Sequence, residues 1–149
     1  ALRRTLSRWA PVAATTVAFL ATGNLMRFSG MARALAGAAA SLGKAYVVVA
    51  PWVGALGGFT TGSNAGANAM FAAAQAEAAR RLGFAPEWLV AAQNVSASLL
   101  TMASASRLAL LVGLVGNGPT LAGVTRQVLA TDAVVLSLWS AAMAFLAWR

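Results

Sequence analysis

The feature that most constrains this chain is the spacing of its few charges. Residues 45–76 contain no Asp, Glu, Lys or Arg, and residues 9–26 are likewise uncharged and bracketed by Arg8 and Arg27. Charges confined to the joints between apolar runs are typical of helices that cross a bilayer. Only 9% of the residues are charged and 60% are apolar, against about 25% charged in soluble domains. We therefore expect an all-α, polytopic membrane protein.

The apolar runs predict four membrane segments. Residues 9–26 are just long enough to cross a hydrocarbon core of about 30 Å, which makes a first span a better interpretation than a signal peptide. Residues 45–82 predict a re-entrant helical hairpin, residues 87–116 a broken helix, and residues 128–148 a last span. Residues 29–43 predict a helix of small residues, which either packs inside the membrane or lies at its interface.

The hairpin prediction depends on the polar stretch 59–71, which reads FTTGSNAGANAMF. Two short apolar arms flank it, one with Pro51 and several glycines, the other ending at Arg80, Arg81 and Gly83 like a helix C-terminus. Neutral hydroxyls and carboxamides beside glycine suit a backbone that turns inside a membrane protein and binds a ligand there. Two short helices with an exposed loop are the alternative.

A second polar cluster interrupts the apolar run that starts at Trp88. Residues 87–116 are too long for one straight span of about 20 residues, which favours two half-helices joined by a break near residues 98–106. The sequence GNGP at residues 116–119 then indicates a turn. The polar residues of this run are Gln93, Asn94, Ser96, Ser98, Thr101, Ser104 and Ser106.

Composition also excludes several functions. The chain has no Cys and no His, which removes disulfides, Cys/His zinc sites, thiol nucleophiles and imidazole chemistry. We expect no enzyme activity, no metal and no cofactor. The net charge of +8 comes from cations scattered among apolar runs, without the basic stripe or aromatic platform that nucleic-acid binding needs.

The polar stretch and the helix after it resemble the C-terminal part of the lactate permease family of bacterial secondary transporters. The resemblance covers residues 51–116 and rests on GALGGFTTGSNAGANAMFAAAQAEAARRLG followed by WLVAAQNVSASLLTMASAS. The positions that fit the family's blocks are Phe59, Thr61, Gly62, Ser63, Asn68, Phe71, Gln75, Asn94, Met102 and Ser104. Thr101, Ala105 and Ser106 stand where the family has Lys, Pro and Gln, and we expect Arg107, six residues beyond Thr101, to supply the charge of the replaced lysine.

The resemblance implies proton-coupled uptake of lactate or a related 2-hydroxy monocarboxylate across the bacterial cytoplasmic membrane. It also implies a fold of two inverted repeats, of which this chain would be the C-terminal one. The expected partners are a small carboxylate anion, a proton, the lipid bilayer and the missing N-terminal part of the transporter.

Residue chemistry and resemblance together predict a carboxylate site between the hairpin tip and the helix break, because helix N-termini bind small anions. The expected substrate-binding residues are Thr60, Thr61, Gly62, Ser63, Asn64, Asn68, Asn94, Ser98, Thr101, Ser104, Ser106 and Arg107. Two other classes stay open: a membrane-embedded structural or assembly subunit without a transport site, and a soluble Ala-rich helical enzyme. Asp132 fits an interfacial carboxylate or a proton carrier.

Overall fold

The computed structural model describes residues 2–115 and 120–149, and within them it consists of α-helices and one 3-10 turn. This confirms the all-α prediction. The turn predicted at residues 116–119 lies outside the described residues. The helices are α1 (Leu2–Phe28), α2 (Met31–Ser41), α3 (Tyr46–Thr61), α4 (Asn64–Arg81), α5 (Pro86–Thr101), α6 (Ala105–Val115) and α7 (Leu121–Ala147), with the 3-10 turn at Gly43–Ala45 between α2 and α3.

Several of these helices suit a membrane. Pro86–Val112, which runs from α5 into α6, and Leu121–Ala147 are each long and apolar enough to cross a bilayer. Helix α2 and the segment Gly43–Thr61 also pass when taken together, but they are bent by 111° at their joint. The chain is therefore an all-α polytopic membrane segment. The proposed first span, residues 9–26, lies inside α1, and its crossing stays a prediction.

Helix α3 is the centre of the fold and packs against α4, α5 and α7. Its contact with α5 is close because Gly54 and Gly58 have no side chain. A Cβ on Gly54 would lie 2.8 Å from the carbonyl oxygen of Gln93, and one on Gly58 would collide with the carbonyl oxygen of Ala97. Small residues four apart allow this backbone approach in membrane proteins, where packing rather than the hydrophobic effect holds helices together.

Helix α2 also packs against α4 through small residues. Its buried residues Ala32, Ala36 and Ala39 lie on one face, and Ala36 and Ala39 share a buried cluster with Ala78 and Ala79 of α4. The structure thus places the small-residue helix 31–41 against the hairpin, as the packed interpretation predicts.

Helix α4 ends as its sequence indicates. Arg80 and Arg81 occupy its last turn, and Gly83 takes the left-handed conformation with φ 77° while the amide of Phe84 donates back to the carbonyl of Ala79. Arg81 also donates to Glu77 at 3.0 Å. Both side chains of this ion pair are about one-third exposed, so the pair contributes little to stability, and the glycine stop and the arginines define the helix end.

Candidate functional site

The tip of the α3–α4 hairpin is a two-residue turn. Gly62 ends α3 in the left-handed conformation with φ 60° and ψ 16°, and its amide donates to the carbonyl of Gly58. Ser63 is extended and caps α4, because its Oγ accepts from the amide of Gly66 at 3.1 Å. A left-handed residue followed by a capping serine reverses the chain within two residues, so the N-terminus of α4 begins directly at the tip.

The helix break lies between Thr101 and Ala105, inside the interval 98–106. Ser104 is the residue before α6, and its carbonyl accepts from the amides of Arg107 and Leu108. Its side chain is 2% exposed, and its Oγ has no hydrogen-bond partner among the described residues. A buried hydroxyl without a partner costs free energy, which marks it as available to a ligand or a water molecule.

The hairpin tip and the helix break meet at Gly62. A Cβ on Gly62 would lie 3.1 Å from Ser106 Oγ and 3.2 Å from Ser104 Oγ, which is tighter than ordinary packing allows. Arg107 also connects the break to the hairpin tip, because its Nε donates to the carbonyl oxygen of Gly62 at 3.2 Å. We call Gly62, Ser63, Ser104, Ser106 and Arg107 the tip–break junction.

The electrostatics of the tip–break junction favour an anion. Helix α4 starts after Ser63 and α6 starts after Ser104, so two helix N-termini begin at the junction. Each N-terminus carries about half a positive charge and amides without intrahelical partners. Arg107 adds a full charge on the first turn of α6, and Nε is only one of the nitrogens with which a guanidinium donates.

A second polar group connects α4 to α5 beside the tip. The Nδ2 of Asn64 and the Nδ2 of Asn68 both donate to Oδ1 of Asn94, at 2.9 and 2.6 Å. The predicted brace by Asn68 and Asn94 therefore exists, but it joins α4 to α5 rather than the hairpin tip to the break. Asn64 belongs to the same brace, and its amide donates to Asn94.

Several predicted donors are already engaged within their own segments. Thr60 Oγ1 lies 2.8 Å from the carbonyl oxygen of Leu56. Thr101 is buried, and its hydroxyl donates to the carbonyl oxygen of Ala97. Thr61 Oγ1 lies 2.8 Å from the carbonyl oxygen of Gly57 and accepts from the Ser63 amide. Ser98 is exposed on α5.

Sequence reasoning missed a buried polar chain deeper in the hairpin. The hydroxyl of Tyr46 donates to Gln75 Oε1 at 2.9 Å, and Gln75 Nε2 lies 3.3 Å from Gln93 Oε1 and 3.2 Å from the carbonyl oxygen of Ala50. Gln75 and Gln93 are at most 1% exposed. The sequence feature that could have indicated this polar chain is the presence of Gln75 and Gln93 inside uncharged helical runs, because glutamine is seldom fully buried.

Comparison with known proteins places these features in a family. The family model described as L-lactate permease matches residues 1–147. The L-lactate permease of Escherichia coli (strain K12) is 40% identical over 101 residues, which cover 66% of this chain and 18% of that protein. The L-lactate permease of Streptococcus iniae is 34% identical over 91 residues, covering 60% of this chain and 19% of that protein.

A third relative aligns over more of the chain. The L-lactate permease of Halalkalibacterium halodurans is 29% identical over 126 residues, covering 83% of this chain and 24% of that protein. The chain thus spans at most about a quarter of the length of these relatives. No solved structure matches it. Because the family model extends over nearly the whole chain, this chain belongs to the L-lactate permease family.

Proposed function

We propose that this chain is the C-terminal repeat of a secondary transporter that carries lactate or a related 2-hydroxy monocarboxylate, together with protons, across the bacterial cytoplasmic membrane. Family membership and the apolar helices support a membrane-integral permease. The relatives, which are named L-lactate permeases, are several times longer than the aligned region. The rest of the transporter then supplies the other side of the substrate site.

The observation that carries this proposal is the meeting of two helix starts at Gly62. The unpartnered hydroxyl of Ser104 and the hydroxyl of Ser106 lie against Gly62, and Arg107 is bonded to the same residue. A carboxylate accepts several hydrogen bonds, and short polar donors next to helix N-termini provide them without a dedicated metal or cofactor. Broken helices whose N-termini face an anionic substrate are an established construction in secondary transporters.

The tip–break junction also suggests how the two broken elements move. The hydrogen bond from Arg107 to Gly62 and the Asn94 brace to α4 tie the hairpin to α5 and α6 at two places. We infer that the hairpin and the broken helix move as one unit against the remainder of the transporter, so that access to the junction alternates between the two membrane faces.

The test is uptake of labelled lactate and glycolate by the full-length transporter, with and without a proton gradient. Ser104→Ala removes the unpartnered hydroxyl, so we expect it to leave the protein inserted and at least as stable. If Ser104 donates to the substrate carboxylate, a lost hydrogen bond to a charged group of about 1.5 kcal/mol or more raises the KM about tenfold or more.

Ser96→Ala is the matched control. Ser96 is also buried on this polytopic segment, but its hydroxyl donates to the carbonyl of Ala92 at 2.6 Å, so we expect its uptake to stay close to that of the parent protein. An unchanged KM in Ser104→Ala would contradict the substrate site. Absence of any gradient-driven uptake by the parent protein would favour a structural or assembly subunit instead.

A further inference from the structure

Asp132 lies near the middle of helix α7. Helix α7 begins at Leu121, with Thr120 as its cap, and has no acidic residue in its first turn. Asp132 is therefore about 17 Å along the axis of a helix that is about 40 Å long, at 1.5 Å per residue. The interfacial interpretation assumes a span starting at residue 128, which puts Asp132 one turn from the helix start. The helix itself starts seven residues earlier, at Leu121, and the point at which the membrane begins along it stays a prediction.

Asp132 also faces the protein rather than the lipid. It is 9% exposed and belongs to the buried stripe of α7 with Leu136, Ser140 and Met143. Its Oδ2 has no hydrogen-bond partner among the described residues. A carboxylate held between apolar helices without a partner is costly while it is ionised, and protonation removes that cost.

No described cation neutralises Asp132. The described residues form no ion pair with it, and Arg126 on the same helix is exposed. Of the helices packed against α7, α3 offers only Tyr46 as a titratable side chain, α5 only Glu87 and α6 only Arg107. The Arg107 Nε donates to Gly62.

The surroundings of Asp132 include the helix break. A pocket of about 360 Å³ is lined by Gln127, Val128, Thr131 and Asp132 of α7, and by Leu99 and Met102. Met102 is the first residue after α5. The same short break therefore contributes Met102 to this pocket and Ser104 to the proposed substrate site. A movement of that segment changes both the access to Asp132 and the shape of the tip–break junction.

We propose that Asp132 is the group that carries the coupled proton, an inference that rests on the proposed function. The carboxylate takes up one proton from the membrane face with the higher proton concentration, forming a neutral carboxylic acid. It returns that proton on the other face and becomes a carboxylate again. The conformational change with lactate bound takes place with Asp132 protonated, and the return without lactate takes place with Asp132 as a carboxylate, so each cycle carries one proton.

The experiment separates coupling from substrate binding. Asp132→Asn in the full-length transporter, reconstituted in vesicles, abolishes lactate accumulation driven by an imposed proton gradient. It keeps counterflow, in which labelled lactate enters in exchange for unlabelled lactate inside. Glu77→Gln is the matched control, because it removes a partly exposed carboxylate that is already paired with Arg80 and Arg81, and it retains both activities.

Gradient-driven accumulation by Asp132→Asn at the parent level would overturn the proposal, as would loss of counterflow together with accumulation in a correctly inserted variant. Absence of both activities in the parent protein would instead overturn the proposed function itself, and this inference with it.

A second measurement does not depend on transport or on the variant folding. An apolar carbodiimide reacts with protonated carboxyl groups inside membranes, so it labels Asp132 of the parent protein, and labelling falls as the pH is raised. Failure to label Asp132, or labelling that does not change with pH, would contradict a proton-exchanging carboxyl.

Discussion

At the scale of single residues, Gly62 combines a conformational and a packing requirement. Its backbone is left-handed with φ 60°, and the hydroxyls of Ser104 and Ser106 occupy the space that a side chain would need. Any L-residue at this position is strained in its own backbone, and its Cβ also requires the serine hydroxyls of the break to shift by a few tenths of an ångström. The two effects are separable, because another left-handed glycine has open space around it.

We expect Gly62→Ala to abolish lactate uptake by the full-length transporter, since the tip–break junction opens. Gly83→Ala is the control. Gly83 has φ 77°, and an added methyl group there would have nothing within 4 Å, so it carries the same backbone cost of about 1 kcal/mol without a collision. Uptake normalised to inserted protein is the measurement, and equal losses in both variants would show that backbone strain alone matters.

The roles of individual hydroxyls are the part that sequence could not predict. Thr101 and Ser104 are both small, polar and three residues apart, yet Thr101 bonds to the carbonyl of Ala97 while Ser104 has no described partner. A serine or threonine hydroxyl in a helix can bond to the carbonyl four residues earlier or to a group on another segment. The amino-acid sequence is the same in both cases and does not tell them apart. The place where α5 ends distinguishes them, because Thr101 still belongs to the helix and reaches its i−4 carbonyl while Ser104 lies in the break.

At the scale of elements, the polar clusters in apolar runs predict the positions of the hairpin turn and of the break well. They do so because polar groups in such runs need a turn, a helix end or a ligand. The start of α7 is harder to predict from the sequence. Arg126 suggests a boundary at residue 128, but backbone hydrogen bonding continues through an exposed arginine, and the helix begins at the capping Thr120. That difference places Asp132 near the middle of helix α7 rather than one turn from its start.

The α3–α5 contact gives the clearest prediction for an element. Gly58→Ala forces a methyl group against the backbone carbonyl of Ala97, so we expect it to separate the two helices and destabilise the protein by about 1–3 kcal/mol, the usual cost of overpacking. Thermal unfolding of the protein in detergent, followed by loss of monodisperse material, checks this.

Gly37→Ala is the control for that contact. Its added methyl group would meet only the end of the flexible Arg81 side chain, at 3.2 Å, and it removes a helical glycine, which favours the helix. We expect it to unfold at or above the parent temperature. A Gly58→Ala protein as stable as Gly37→Ala would show that α3 and α5 are free to move apart at this point.

At the scale of the whole molecule, our proposal assigns this chain one side of a larger site. The described helices bring two helix starts, two serine hydroxyls and one arginine to the tip–break junction, and a buried carboxylate lines a pocket formed with the neighbouring break. The relatives extend well beyond the aligned region, so in the proposed transporter the opposite wall comes from the rest of the protein. Substrate and proton then bind on two faces of one broken helix.

The most direct test of the proposed junction is substrate protection. This chain has no cysteine, so Ser106→Cys, in a full-length transporter without other cysteines, reports on the junction by its rate of alkylation in membrane vesicles. Lactate is predicted to slow the alkylation of Ser106→Cys. It is predicted to leave unchanged that of Ser41→Cys, an exposed position at the end of α2. Equal alkylation of Ser106→Cys with and without saturating lactate would contradict a substrate site at the tip–break junction.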